Sequence, residues 1–148
     1  MEHDFDKFPE LTNQQINDIG FTSPHPQITE DFRAVVTKVH DGDTITLECD
    51  FRDFAFPLRF LDIDAQELSE GGAEVRDWLK EQILGEEVEI KINKNNRVGK
   101  YGRLLGYVIH KGLNLNEMML ASGMVQKFGK KGEGEIPQLS KMFAEVAI

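Results

Sequence analysis

Three short clusters of the chain carry acidic or cationic side chains at turns or in apolar runs: Asp41-Gly42-Asp43-Thr44, Arg59-Phe60-Leu61-Asp62-Ile63-Asp64-Ala65-Gln66-Glu67 and Lys100-Tyr101-Gly102-Arg103. Each has a plain structural account when taken singly. Asp-Gly is a strong hairpin-turn signal, which explains Asp41 and Gly42 but requires neither Asp43 nor Thr44. An arginine in an apolar run can pair with Asp62 or snorkel outward, and Lys-Tyr-Gly-Arg is an ordinary basic turn. Together they supply the parts of one reaction. Phosphodiester hydrolysis needs oxygen ligands for a hard cation that polarises the phosphate, cationic forks for its growing charge, and a base or positioned water for attack. Asp43, Asp64, Glu67, Arg59 and Arg103 fill those roles.

The elements that must position these clusters are read from periodicity. Ala34 to Val39 and Ile45 to Cys49 flank the Asp41-Gly42 turn as a hairpin, and a third apolar run spans Phe54 to Ile63. Val75, Trp78, Leu79 and Ile83 recur at helical intervals, with Gly85 placed to end that helix. Val88, Ile90 and Ile92 alternate with charged residues, and Leu104 to Ile109 forms another strand after a loop at 93–102. Short helices are expected near Thr12 to Ile19, capped by Thr12, and over Leu115 to Ser122, capped by Asn114. A last helix from Pro137 to Val146 would bury Leu139, Met142, Phe143 and Val146. Three strands, a helix and two more strands is the order of a five-stranded OB barrel, an α+β arrangement whose rim loops commonly bind nucleic acid or oligosaccharide. Arg59 and Asp64 lie five residues apart and would face opposite sides of a flat strand. The barrel therefore requires a bend or bulge near Asp62.

At 148 residues and 40% hydrophobic composition, the chain has the length and apolar content of one domain, drawn here as residues 31–148 behind an acidic extension at 1–30. The single cysteine, Cys49, permits no internal disulfide and is read as a core hydrophobe rather than a nucleophile. No start of signal-peptide type and no membrane-spanning run is seen, so a soluble, cytoplasmic protein without a membrane partner is expected. The net charge of −9 argues against a polyanion ligand until its distribution is read. Residues 31–90 hold six basic against sixteen acidic side chains, whereas nine basic residues between Lys91 and Lys131 face Glu117 alone. A metal-plus-phosphate site needs an acidic half beside a basic half, although a solvated mixed surface gives the same totals.

The ordered triple of motifs, with a helix between the second and third, closely resembles the staphylococcal nuclease (thermonuclease) family over residues 33 to 128. The resemblance implies an OB-type barrel with about three helices and a calcium ion held by Asp43, Asp64 and the backbone carbonyl of Ala65. It implies that Glu67 holds or deprotonates the attacking water and that Arg59 and Arg103 clamp the phosphate. Lys100 and Tyr101 would touch the next phosphate or the nucleotide, and Asp41 and Thr44 would orient Asp43 from behind. The implied activity is calcium-dependent cleavage of DNA and RNA by a monomer, giving 3′-phosphate and 5′-hydroxyl ends.

The sequence departs from the family pattern in two places. Gln66 stands where family members usually carry proline, which leaves the loop before Glu67 less rigid. Residues 126–131 offer only Phe128 where the prototype stacks a base on tyrosine. The competing reading is a binding module on the same barrel without turnover. Degenerate copies lose Asp43, Glu67 or an arginine, and none is lost here. The six acidic residues of the extension, set against Lys7, are expected to weaken polyanion binding.

Overall fold

A computed structural model describes residues 5, 9–17, 23–66, 71–99 and 102–128. The helix expected from Pro137 to Val146 lies outside the described residues. The elements run α1 (Asn13–Ile16), β1 (Phe32–Asp41), β2 (Thr44–Cys49), β3 (Arg52–Phe60), β4 (Ile63–Asp64), α2 (Gly72–Ile83), β5 (Glu87–Lys91), β6 (Leu104–His110), β7 (Leu113–Asn114), α3 (Leu115–Ala121) and β8 (Gln126–Lys127).

The sheet runs β3-β2-β1-β5-β6-β7, and a parallel pairing of β3 with β6, Leu58 opposite Leu104, closes the five long strands into a mixed barrel. With the three helices found among the described residues, this is the OB-type architecture expected from the strand order. β1 serves both halves, pairing antiparallel with β2 and with β5. Irregularities between Val36 and Lys38 and between Val39 and Asp41 let it curl into the closed sheet.

Alternate side chains of these strands fill the interior: Val36, Ile45, Leu47, Leu58, Phe60, Ile90 and Val108 are all fully buried. Each such residue contributes about 1.5–3 kcal/mol of transfer free energy. Helix α2 lays Leu79 and Ile83 on this core, packed against β1. Its last turn is closed by the Leu84 amide on the Lys80 carbonyl at 3.1 Å, and Gly85, at φ +77°, takes the left-handed position that follows. The Gly85 amide then donates to the Val36 carbonyl at 2.7 Å, fixing the end of the helix to the barrel. Half-buried Cys49 packs against the core, and burial pushes its thiol above the usual range, in keeping with a structural role.

The first thirty residues also pack on the barrel where they are described. Thr12 caps α1, reciprocated by Gln15 in a capping box. Glu10, Leu11 and Ile28 are buried, and Glu10 pairs with Arg52 of β3 at 3.0 Å. No helix among the described residues is long and apolar enough to cross a membrane.

Candidate functional site

The first motif forms the β1–β2 turn, with Asp41 opposite Thr44 and Gly42-Asp43 as the two loop residues. Gly42 is explained differently from the usual Asp-Gly signal, because its φ is not positive. A Cβ there would lie 2.8 Å from Cγ1 of Val75 and 2.9 Å from Cβ of Ala65, so glycine is needed for α2 and the strand after the bend to approach the turn. That approach places Asp43. Its amide donates to Oδ1 of Asp41 at 3.0 Å, its Oδ1 accepts from the Thr44 hydroxyl at 3.0 Å, and its Oδ2 accepts from the Ala65 amide at 2.8 Å. Asp41 and Thr44 thus hold the Asp43 backbone and side chain. The Asp41 carboxyl is pushed up to about 6, first by burial and then by its hydrogen-bonded and charged neighbour Asp43.

The second motif bends where the alternation argument requires it. β3 stops at Phe60, Asp62 takes a left-handed φ of +66°, and β4 resumes at Ile63. The bend is pinned on several sides. The Leu61 amide donates to the Gly106 carbonyl at 2.9 Å, the buried Asn116 amide donates to the Leu61 carbonyl at 2.9 Å, and the Tyr107 hydroxyl donates to Asp62 at 2.6 Å. After the bend, Asp64 turns back onto the same side as Arg59. Nη2 of Arg59 donates to Asp43 at 3.2 Å and to Asp64, while Nη1 donates to the carbonyls of Ile63 at 3.0 Å and Phe60 at 3.2 Å. The Arg59 fork is therefore occupied within the protein, shared between two carboxylates, and its partner is not Asp62.

The third motif brings Arg103 to the same place. Asp41, Asp43, Thr44, Arg59, Asp64, Ala65, Gln66 and Arg103 line one cleft of about 210 Å³ at the barrel rim. Arg103 is half-buried and forms no ion pair among the described residues. β8 pairs with β4, Ile63 opposite Lys127, and the Phe128 ring sits 5.4 Å from the Arg59 guanidinium with 62% of its surface exposed. Glu67, Lys100 and Tyr101 lie outside the described residues.

Sequence reasoning did not assign Gln66 to the cleft wall, nor Tyr107 and Asn116 to the bend. The position of Tyr107, four residues beyond Arg103 in a mostly apolar strand, carried no signal for its bond to Asp62. Among the described residues no three His, Cys, Asp or Glu side chains group to hold a metal by themselves. Asp43, Asp64 and main-chain carbonyls supply oxygens alone, the donor chemistry of a hard cation, and the two carboxylates share a single guanidinium, leaving surplus negative charge. The residues present therefore fit such an ion in kind.

A closed mixed barrel with acids and arginines gathered at its rim defines an OB-type domain with a charged cleft. The chain belongs to the staphylococcal nuclease homologue family, whose model matches residues 57–146. That span includes Arg59, Asp64, Glu67 and Arg103 and begins after Asp43. The family is generally calcium-dependent. An uncharacterized protein of Bacillus anthracis is 31% identical over 102 residues, covering 64% of this chain and 46% of that protein. The chain thus spans about half the length of that relative.

Proposed function

We propose that the chain is a calcium-dependent phosphodiesterase that cleaves DNA and RNA internally as a monomer, leaving 3′-phosphate and 5′-hydroxyl ends. The observation that carries this reading is the convergence of Asp43, Asp64, Arg59 and Arg103, from separate segments, on one cleft. Calcium held by Asp43, Asp64 and the Ala65 carbonyl would polarise the scissile phosphate and offset its charge.

The chain's own residues do the rest. Arg103, without an ion pair among the described residues, offers its fork to the phosphate as charge grows on the non-bridging oxygens. Arg59 joins it only by exchanging an Asp43 or Asp64 oxygen for a phosphate oxygen at Nη2. Thr44 and Asp41 keep Asp43 aimed during that exchange. Glu67 holds or deprotonates the water that attacks phosphorus. The P–O5′ bond breaks, the 5′ oxygen takes up a proton, and the phosphate stays on the 3′ oxygen. Lys100 and Tyr101 contact the adjoining phosphate or nucleotide. The exposed Phe128 ring beside Arg59 offers a base-stacking surface, a contact of ~1–3 kcal/mol.

The test is incubation of plasmid DNA and of RNA in calcium, in magnesium and in chelator, beside a Glu67→Gln variant. Calcium-supported degradation with phosphatase-sensitive 3′ ends, suppressed in the variant, supports the reading. Intact substrate in every condition with binding retained supports the binding module instead.

A further inference from the structure

The most deeply buried ion pairs lie away from the cleft. Glu10, Arg52 and Arg97 are each almost fully enclosed, and they join the first thirty residues to the barrel. Glu10 accepts from the Ile28 amide at 3.2 Å and from Arg52 at 3.0 Å, and its other oxygen lies 3.8 Å from Nη2 of Arg97. Arg97 is spent almost entirely on this arm. Its Nε donates to the Ile28 carbonyl at 2.8 Å, Nη1 donates to the Leu11 carbonyl and to Oδ1 of Asn13 at 3.0 Å each, and Nη2 returns to the Ile28 carbonyl. Asn13 completes the link by donating to the Lys94 carbonyl at 2.8 Å.

The main chain of Arg97 leads to the cleft. Its carbonyl accepts the Leu105 amide at 2.8 Å, Val98 bridges Leu104, and the Gly99 amide donates to the Arg103 carbonyl at 2.8 Å. Residues 97–99 are therefore the segment against which Arg103 is laid just before β6 enters the barrel. That segment is fastened to the arm through the Arg97 side chain. We infer that Asn13 and Arg97 are positioning residues for Arg103: the arm sets the direction in which Arg103 meets the phosphate. The inference rests on the phosphate role proposed for Arg103. It also changes the expectation for the arm, since Glu10 is neutralised inside the protein and its segment supports binding instead of opposing it.

Removing Arg97 would leave the Leu11 and Ile28 carbonyls buried without their donor and risk unfolding. Asn13→Ala is the cleaner change, because Asn13 is exposed, sits at the first position of α1 and leaves no cavity. Affinity for a labelled single-stranded DNA oligonucleotide in chelator is measured for the full chain, Asn13→Ala, Arg103→Ala and the double variant, together with amide exchange at Gly99 and Leu105. Asn13→Ala is expected to weaken binding about tenfold in the parent and to add nothing once Arg103 is gone, as coupled contacts do. Exchange at Gly99 and Leu105 should quicken while that at Ile45 stays slow. Parent-like binding by Asn13→Ala, or an equal loss in both backgrounds, overturns the inference alone. Parent-like binding by Arg103→Ala overturns the phosphate role of Arg103 and this inference with it.

Discussion

Asp62 and Tyr107 are joined by a 2.6 Å hydrogen bond that clips the bend after β3 to the middle of β6. Asp62 sits at φ +66°, a conformation a non-glycine residue keeps only when its surroundings hold it. The Phe128 amide on the Asp62 carbonyl at 2.8 Å is the second clasp. The convergence of Arg59 with Asp64 depends on this one bend.

Tyr107→Phe should therefore cost about 1 kcal/mol of stability, since Asp62 is exposed and can return to water. The Tyr107 phenol is pushed up from 10.0 to about 12, first by its bond to Asp62 and then by burial. A raised acid stabilises the fold while protonated, so the contribution is complete below about pH 10 and is lost as the pH rises through about 12. Thermal unfolding of parent and variant across that window should show a difference that shrinks to nothing at the alkaline end. A difference that persists there would mean the hydroxyl is not the cause.

Gly42→Ala should destabilise by about 1–3 kcal/mol, the usual range for overpacking a tight site, because the new methyl meets Val75 and Ala65 at under 3 Å. The same clash moves Asp43, whose Oδ2 is held by the Ala65 amide, so activity should fall further than stability. Urea unfolding and cleavage rates at a temperature where the variant is folded separate the two effects. Equal stability in parent and variant would contradict the packing account.

Glu10→Ala leaves two buried guanidinium groups without their shared carboxylate and should cost about 3–5 kcal/mol. Arg33→Ala, which removes an exposed pair with Glu87, should cost under about 1 kcal/mol. Denaturant midpoints of the two variants test the contrast directly. Similar costs for both would show that burial of the Glu10 cluster has been overstated.

What could be read from the sequence was set by periodicity and by motif spacing. The five long strands and α2 announce themselves because Ile45 and Leu47, Val88 and Ile90, and Leu79 and Ile83 keep the period of their element over several residues. β4, β7 and β8 span two residues each and have no period to read, yet the β4–β8 pair carries Phe128 to Arg59. Asp43, Arg59, Asp64 and Arg103 were candidates because acids and arginines interrupt apolar runs or follow turns. Glu10 and Arg97 were not, because charged residues in polar stretches read as surface, and only the fold shows that they face one another inside. Gly42 was legible as a turn residue for the wrong reason. Its type was dictated by Val75 and Ala65, distant in sequence.

The most direct test compares kcat/KM for calcium-supported cleavage of single-stranded DNA by the parent, Asp43→Asn and Arg103→Ala, with circular dichroism confirming that each is folded. Each substitution should lower kcat/KM by about 10²–10³-fold, the scale expected for a group that stabilises developing phosphate charge. A parent that cleaves nothing in calcium, or variants that cleave as fast as the parent, would contradict the assignment of this cleft as a phosphodiesterase site.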